Sequence, residues 1–153
     1  MRRSSSGISP VVATVILVAI AIVIAIAVAF WASGLVGVFT RFEKLEITAA
    51  YWDASNNRVV LYVKNTGSAT TTIDSVYVNG IPGAPITYGG APPGVTQVCG
   101  TTGGNATCSP GQGIVIYVTG TPAAVGGFQH GVTYEIAVHT ASGKLYPQSV
   151  QIP

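Results

Sequence analysis

An uncharged, apolar stretch near the N-terminus limits the structures that this chain can form. No side chain between residues 4 and 40 carries a charge, and Thr14 is the one moderately polar residue in 11–32. A helix rises about 1.5 Å per residue, so about 20 apolar residues cross a bilayer core. A helix over 10–44 would be about 50 Å long against the roughly 30 Å that a membrane requires. The surplus length needs an explanation.

Signals for a helix start and for a cleavage site precede this stretch. A polar leader with two arginines occupies residues 1–7. Ser9 suits an N-cap, and Pro10 suits the first helical position, where its missing N–H costs nothing. The sequence therefore predicts a helix that begins two or three residues after Gly7. A cut at the Gly7–Ile8 bond would leave the whole apolar helix on the mature chain.

Residues 7–14, Gly-Ile-Ser-Pro-Val-Val-Ala-Thr, followed by a run of Ile, Val and Ala, resemble the N-terminus of archaeal type IV pilins. The resemblance covers residues 1–35 and is closer than that to archaellins. It implies that a prepilin peptidase in the membrane cuts between Gly7 and Ile8. Bacterial type IV pilins carry a glutamate five residues into the mature chain. That position is Val12 here, so a docking salt bridge of the bacterial kind is unavailable.

The resemblance also implies a use for the surplus length. In such pilins the helix first anchors the precursor in the membrane. The pilus assembly machinery then joins the helices into a homopolymer, an extracellular adhesion filament on the cell surface. Small residues spaced every four positions allow helix backbones to approach closely. This helix carries such a ridge at Ala21, Ala25, Ala29, Ser33 and Gly37.

Two other interpretations of the apolar stretch remain open. The first is a single membrane anchor, in which alanine is merely common. The second is a conventional signal peptide, with a small-x-small cleavage site at 27–29 and a secreted domain that starts near Phe30. That interpretation leaves the Gly-Ile-Ser-Pro entry and the apolar residues up to Phe42 unexplained.

The charge balance argues against nucleic acid as a partner. Charged residues make up 8% of the chain, against about 25% in typical domains. The formal net charge of +2 comes from the two leader arginines, since the other five basic residues balance five acidic ones. A neutral mature chain has no electrostatic basis for binding nucleic acid. Net charge near zero favours association.

After the charged cluster at 41–44, the periodicity changes from helical to alternating. The predicted organisation is α+β: a leader at 1–7, a transmembrane or filament-core helix at 8–44, and an immunoglobulin-like β-sandwich at 45–153. Runs rich in Val, Ile, Tyr and Thr predict strands at 45–52, 58–64, 72–78, 113–119 and 132–140. Further candidates are 85–88, 95–99 and 144–152. Residues 80–113 are rich in Gly, Pro and Thr and read as loops.

Both cysteines, Cys99 and Cys108, fall in that loop region. In an exported domain, a pair nine residues apart predicts a disulfide, with two free thiols as the alternative. The sequence between them contains Asn105-Ala106-Thr107, an N-glycosylation acceptor that predicts a glycoprotein.

No arrangement of residues predicts catalysis, a metal site or a cofactor. The two histidines, His130 and His139, belong to no cluster of metal-ligating residues. The five acidic residues are scattered along the chain. Glu43 and Glu46 are predicted to pair with Arg41 or Lys44. Two function classes follow: a pilin that polymerises through its helix, or a membrane-anchored or secreted β-sandwich binding domain that does not polymerise.

Overall fold

The computed structural model describes residues 8–153, and the chain divides into two compact units between Thr40 and Arg41. The predicted leader, residues 1–7 with Gly7 of the cleavage site, lies outside the described residues. The first unit is a single apolar helix, and the second is a sandwich of two antiparallel sheets. The predicted α+β class, a long N-terminal apolar helix followed by a β-sandwich, is confirmed.

Within the described range there are one α-helix and ten β-strands. Their bounds are α1 Ile8–Phe39, β1 Leu45–Asp53, β2 Arg58–Asn65, β3 Thr71–Val78, β4 Ile81–Pro82, β5 Ile86–Tyr88, β6 Gly100–Thr102, β7 Asn105–Cys108, β8 Gly113–Val118, β9 Thr133–Thr140 and β10 Leu145–Gln151.

The helix α1 ends five residues before the predicted position. Its last backbone bond runs from the Thr40 N–H to the Val36 carbonyl. Beyond it, the Phe42 carbonyl accepts the N–H groups of Ser68 and Ala69. These residues therefore pair with the turn after β2 instead of continuing a helix. At the other end, α1 includes Ile8, one residue before the predicted N-cap Ser9.

The sandwich is built mainly from hairpins. One sheet has the order β1-β2-β8-β5, and the other has the order β10-β9-β3-β7-β6, with β4 paired to β3. Seven predicted strands match β1, β2, β3, β5, β8, β9 and β10 within one residue at each end. The region 80–113, predicted as loops, also contains β4, β6 and β7.

The predicted strand at 95–99 is wrong. The segment 95–99 makes one isolated parallel β-bridge, between Val98 and Gly113. After Gly113, the same edge of β8 is hydrogen-bonded to Gly89, Gly90 and β5. Segment 95–99 therefore has no further backbone with which to pair.

The core lies between the sheets and is aliphatic. Alternate residues of β2 and β8 point inward and are fully buried: Val59, Leu61, Val63, Ile114, Ile116 and Val118. The facing sheet contributes a matching set, which includes Ile73, Val76, Val78, Ile136 and Val138. This alternation is the period of two that strands impose on side chains. It explains why the Val- and Ile-rich runs were recognisable from sequence.

A buried asparagine, Asn65, makes hydrogen bonds that fix the turn after β2. The Asn65 side chain has no exposed area. Its Nδ2 donates to the Ala69 and Cys108 carbonyls, both at 2.8 Å, and its Oδ1 accepts the Gly67 N–H at 2.9 Å. A Cβ on Gly67 would lie 2.6 Å from the Lys44 nitrogen, so only glycine fits there. The turn after β2 is thereby held against the segment that enters β1.

The predicted ion pairs in that segment are wrong. Within residues 8–153, the ion pairs join Arg58 to Asp53 and His139 to Asp74. Because residues 41–44 are not helical, the spacing that would align Glu43 and Glu46 with a basic partner is lost. The Glu43 carbonyl instead accepts a bond from Lys144 Nζ at 3.2 Å.

Candidate functional site

The helix α1 is the most distinctive surface of the molecule. Its 32 residues correspond to about 48 Å of length. No side chain from Ser9 to Phe39 is buried, and the large apolar ones are 41–77% exposed. The segment Ser9–Phe39 is long and apolar enough to span a membrane. A helix that is apolar on every side requires an apolar environment all round, from lipid or from protein.

Two threonine hydroxyls, one in α1 and one just after it, make hydrogen bonds that suit such an environment. The Thr14 hydroxyl donates to the Val11 carbonyl at 2.7 Å, so this hydroxyl is satisfied within the helix. Near the other end, the Thr40 hydroxyl donates to the Gly37 carbonyl at 3.3 Å. Internal bonds of this kind remove the cost of placing a hydroxyl in lipid.

The predicted ridge lies along this helix, and all five of its residues are exposed: Ala21, Ala25, Ala29, Ser33 and Gly37. Positions four apart follow one of the natural ridges of a helix surface. A Cβ added at Gly34 or Gly37 would meet nothing within 4 Å. No contact within the described chain therefore explains these glycines, although glycine in a helix costs about 1 kcal/mol relative to alanine.

In the sandwich, the predicted disulfide between Cys99 and Cys108 is confirmed, with a Cα–Cα distance of 4.4 Å. Both residues are buried. The closed loop contains the hairpin of β6 and β7, whose turn residues Gly103 and Gly104 have φ values of 61° and 87°. The bond therefore secures a hairpin that has little apolar surface of its own.

Replacing both cysteines with serine should lower the free energy of unfolding by about 2.5–3 kcal/mol, because the loop of about 10 residues gains entropy when the chain unfolds. Chemical denaturation of the full chain measures this difference. Peptide maps with and without reductant should differ only at the Cys99–Cys108 peptide. Native thiols that react with an alkylating reagent, or an equally stable double variant, would contradict the prediction.

The glycosylation acceptor Asn105 is exposed and opens β7. Its position in a strand corrects the expectation of a loop. Thr107, the third residue of the acceptor, is also exposed, and its hydroxyl is 3.2 Å from that of Thr72. Between them, Ala106 is fully buried. The modification itself stays a prediction.

The histidines lie in separate places. His139 Nδ1 is 2.6 Å from Asp74 Oδ1 on the outer face of the sheet, and its ring stacks on Tyr77. His130 Nδ1 is 2.5 Å from the Pro153 carbonyl. In the described part of the chain, no group of three or more His, Cys, Asp or Glu could hold a metal ion.

The burial of Asn65 and its three side-chain hydrogen bonds could not be predicted from the sequence. The signal was an Asn-Thr-Gly turn, which indicates a change of direction but not burial. Trp52, the last residue of the predicted strand 45–52, packs on the core from β1.

Comparison with known protein families and with curated protein sequences finds no match.

Proposed function

We propose that this protein is a structural subunit of an archaeal type IV pilus, which polymerises through its N-terminal helix into an extracellular adhesion filament. The observation that carries the proposal is the exposed helix α1, apolar on every side and about 48 Å long. A bilayer core accounts for about 30 Å of that length. Burial among copies of the same helix would account for the full length of α1.

The small residues support packing among helices rather than packing in lipid alone. Lipid chains and apolar side chains offer a helix similar surroundings, so association in a membrane depends on close contact between backbones. The ridge from Ala21 to Gly37 and the unfilled space at Gly34 suit such contact. A helix that only anchors the chain has no need of them.

The features of the sandwich support a location outside the cell. A disulfide is typical of oxidising compartments. Asn105 would present an attached glycan to solvent because it is exposed. In this proposal the precursor sits in the cell membrane, and the sandwich forms the outer surface of the filament.

The N-terminus of surface material tests the proposal. We expect the mature chain to begin at Ile8, and electron microscopy to show filaments. Replacing Gly7 with phenylalanine should leave the leader attached and prevent assembly, because the prepilin peptidase of archaeal type IV pilins cuts after glycine. N-terminal sequencing and intact mass measure both effects.

Each other result identifies a competing function. Material that begins at Phe30 would indicate a secreted domain released from a signal peptide. Material that begins at Met1, without filaments, would indicate an anchored β-sandwich that does not polymerise. Either result would overturn the pilin proposal.

A further inference from the structure

A groove of about 430 Å³ opens on the sandwich between β1 and β10. These are edge strands, one from each sheet. The groove is lined by Pro153 and by two runs of consecutive residues: Ala50, Tyr51 and Trp52 from β1, and Ser149, Val150 and Gln151 from β10. Sites for small ligands have volumes of roughly 300–1,000 Å³, so this groove is large enough for one.

An aromatic side chain in the groove is held rigidly. Trp52 packs against Phe128 with ring centroids 5.4 Å apart, and Phe128 packs against Tyr134 at 5.3 Å. The Tyr134 hydroxyl donates to the Gly127 carbonyl at 3.1 Å and accepts the Gln129 N–H at 2.9 Å. This chain of contacts orients the indole before a ligand arrives, which lowers the entropy cost of binding.

The polar side chains of the groove are free and uncharged. Ser149 and Gln151 are exposed, and neither side chain bonds to another residue within 8–153. A glutamine amide offers two donors and an acceptor, and a serine hydroxyl offers both functions. Among the described lining residues there is no charged side chain. The nearest acid along the chain, Asp53, is already paired with Arg58 at 3.1 Å.

We propose that this groove binds a neutral saccharide. A partly exposed indole and free amide and hydroxyl groups line the same groove. This combination matches a sugar, which presents both C–H bonds and hydroxyl groups. The absence of charged side chains from the described lining disfavours phosphorylated or acidic ligands, which bind most strongly to cationic side chains. The proposal does not depend on filament formation, because every lining residue belongs to the sandwich.

The fluorescence of Trp52 provides the test. The chain has two tryptophans, so a Trp31→Phe variant of the full chain leaves Trp52 as the single reporter. It is titrated in a detergent that contains no sugar, with neutral trisaccharides of glucose, mannose and N-acetylglucosamine. Trigalacturonic acid serves as a charged probe of the same size. We expect a saturable change in emission with at least one neutral trisaccharide and none with the charged one.

A pair of glutamine variants on one strand supplies the control. Gln151→Ala should weaken binding about five- to tenfold, the loss expected for one or two hydrogen bonds between neutral groups. Gln148→Ala, which removes an exposed amide outside the groove, should leave affinity unchanged. The proposal is overturned if no neutral probe binds, if the charged probe binds more tightly, or if both variants bind alike.

Discussion

Filaments should be lost when Ala25 and Ala29 are both replaced by leucine, while insertion of the chain into the membrane remains intact. Leucine keeps the helix apolar, so the transfer of α1 into lipid is unaffected or slightly more favourable. Packing between helices, in contrast, should become less favourable. Extra methylenes forced into a close contact cost about 1–3 kcal/mol at each site.

Polymerisation amplifies this local cost. In the proposed filament every added subunit makes the same contacts, so the penalty recurs at each step of growth. A lone membrane anchor makes no such contact and would tolerate the change. Electron microscopy of surface material, together with membrane fractionation, separates loss of assembly from loss of insertion.

The matched control uses the same chemistry away from the ridge. Leucine at Ala19 and Ala27 adds the same volume to the same helix but leaves Ala25 and Ala29 unchanged. Because these positions lie outside the close contact proposed for the ridge, we expect this variant to retain more filaments than the ridge variant. Normal filaments from the ridge variant, or equal loss from both variants, would show that the ridge does not set the packing distance.

The Asn65→Ala variant should lose about 3–5 kcal/mol of unfolding free energy, because the Ala69 and Cys108 carbonyls lose their donors and the Gly67 N–H loses one acceptor. Typical domains have only about 5–15 kcal/mol in total. The melting temperature of the sandwich should therefore fall by more than about 10 °C.

Two further variants test whether the loss of stability comes from the buried N–H donors of Asn65. Asn65→Asp keeps the shape of the side chain but replaces both N–H donors with a carboxylate oxygen facing two carbonyls, so it should be at least as damaging. Asn105→Ala removes an exposed asparagine and should melt like the wild type. Near-ultraviolet circular dichroism of the full chain follows the transition. A change at Asn65 no larger than the change at Asn105 would contradict the role assigned to the buried side chain.

The helix and the long strands could be predicted from local pattern. Twenty or more consecutive apolar residues have few stable alternatives to a helix in an apolar environment. Alternation in Arg58–Asn65 and Gly113–Val118 separates an inner face from an outer face over enough residues to be recognised. The disulfide could be predicted because the sequence contains a single pair of cysteines, nine residues apart.

The tertiary structure decided the features that depend on distant partners. The strands β6 and β7 are short and combine Thr with Gly, Asn and Ala, so their local pattern is weak. The disulfide closes their hairpin, and β3 pairs with β7. The helix ends at Phe39 because the turn near Ser68 supplies bonds to the Phe42 carbonyl. The groove combines residues near Trp52 and Gln151, at the two ends of the sandwich sequence. Periodicity reports on neighbours along the chain, so contacts between such distant residues become visible only when the sheets are assembled.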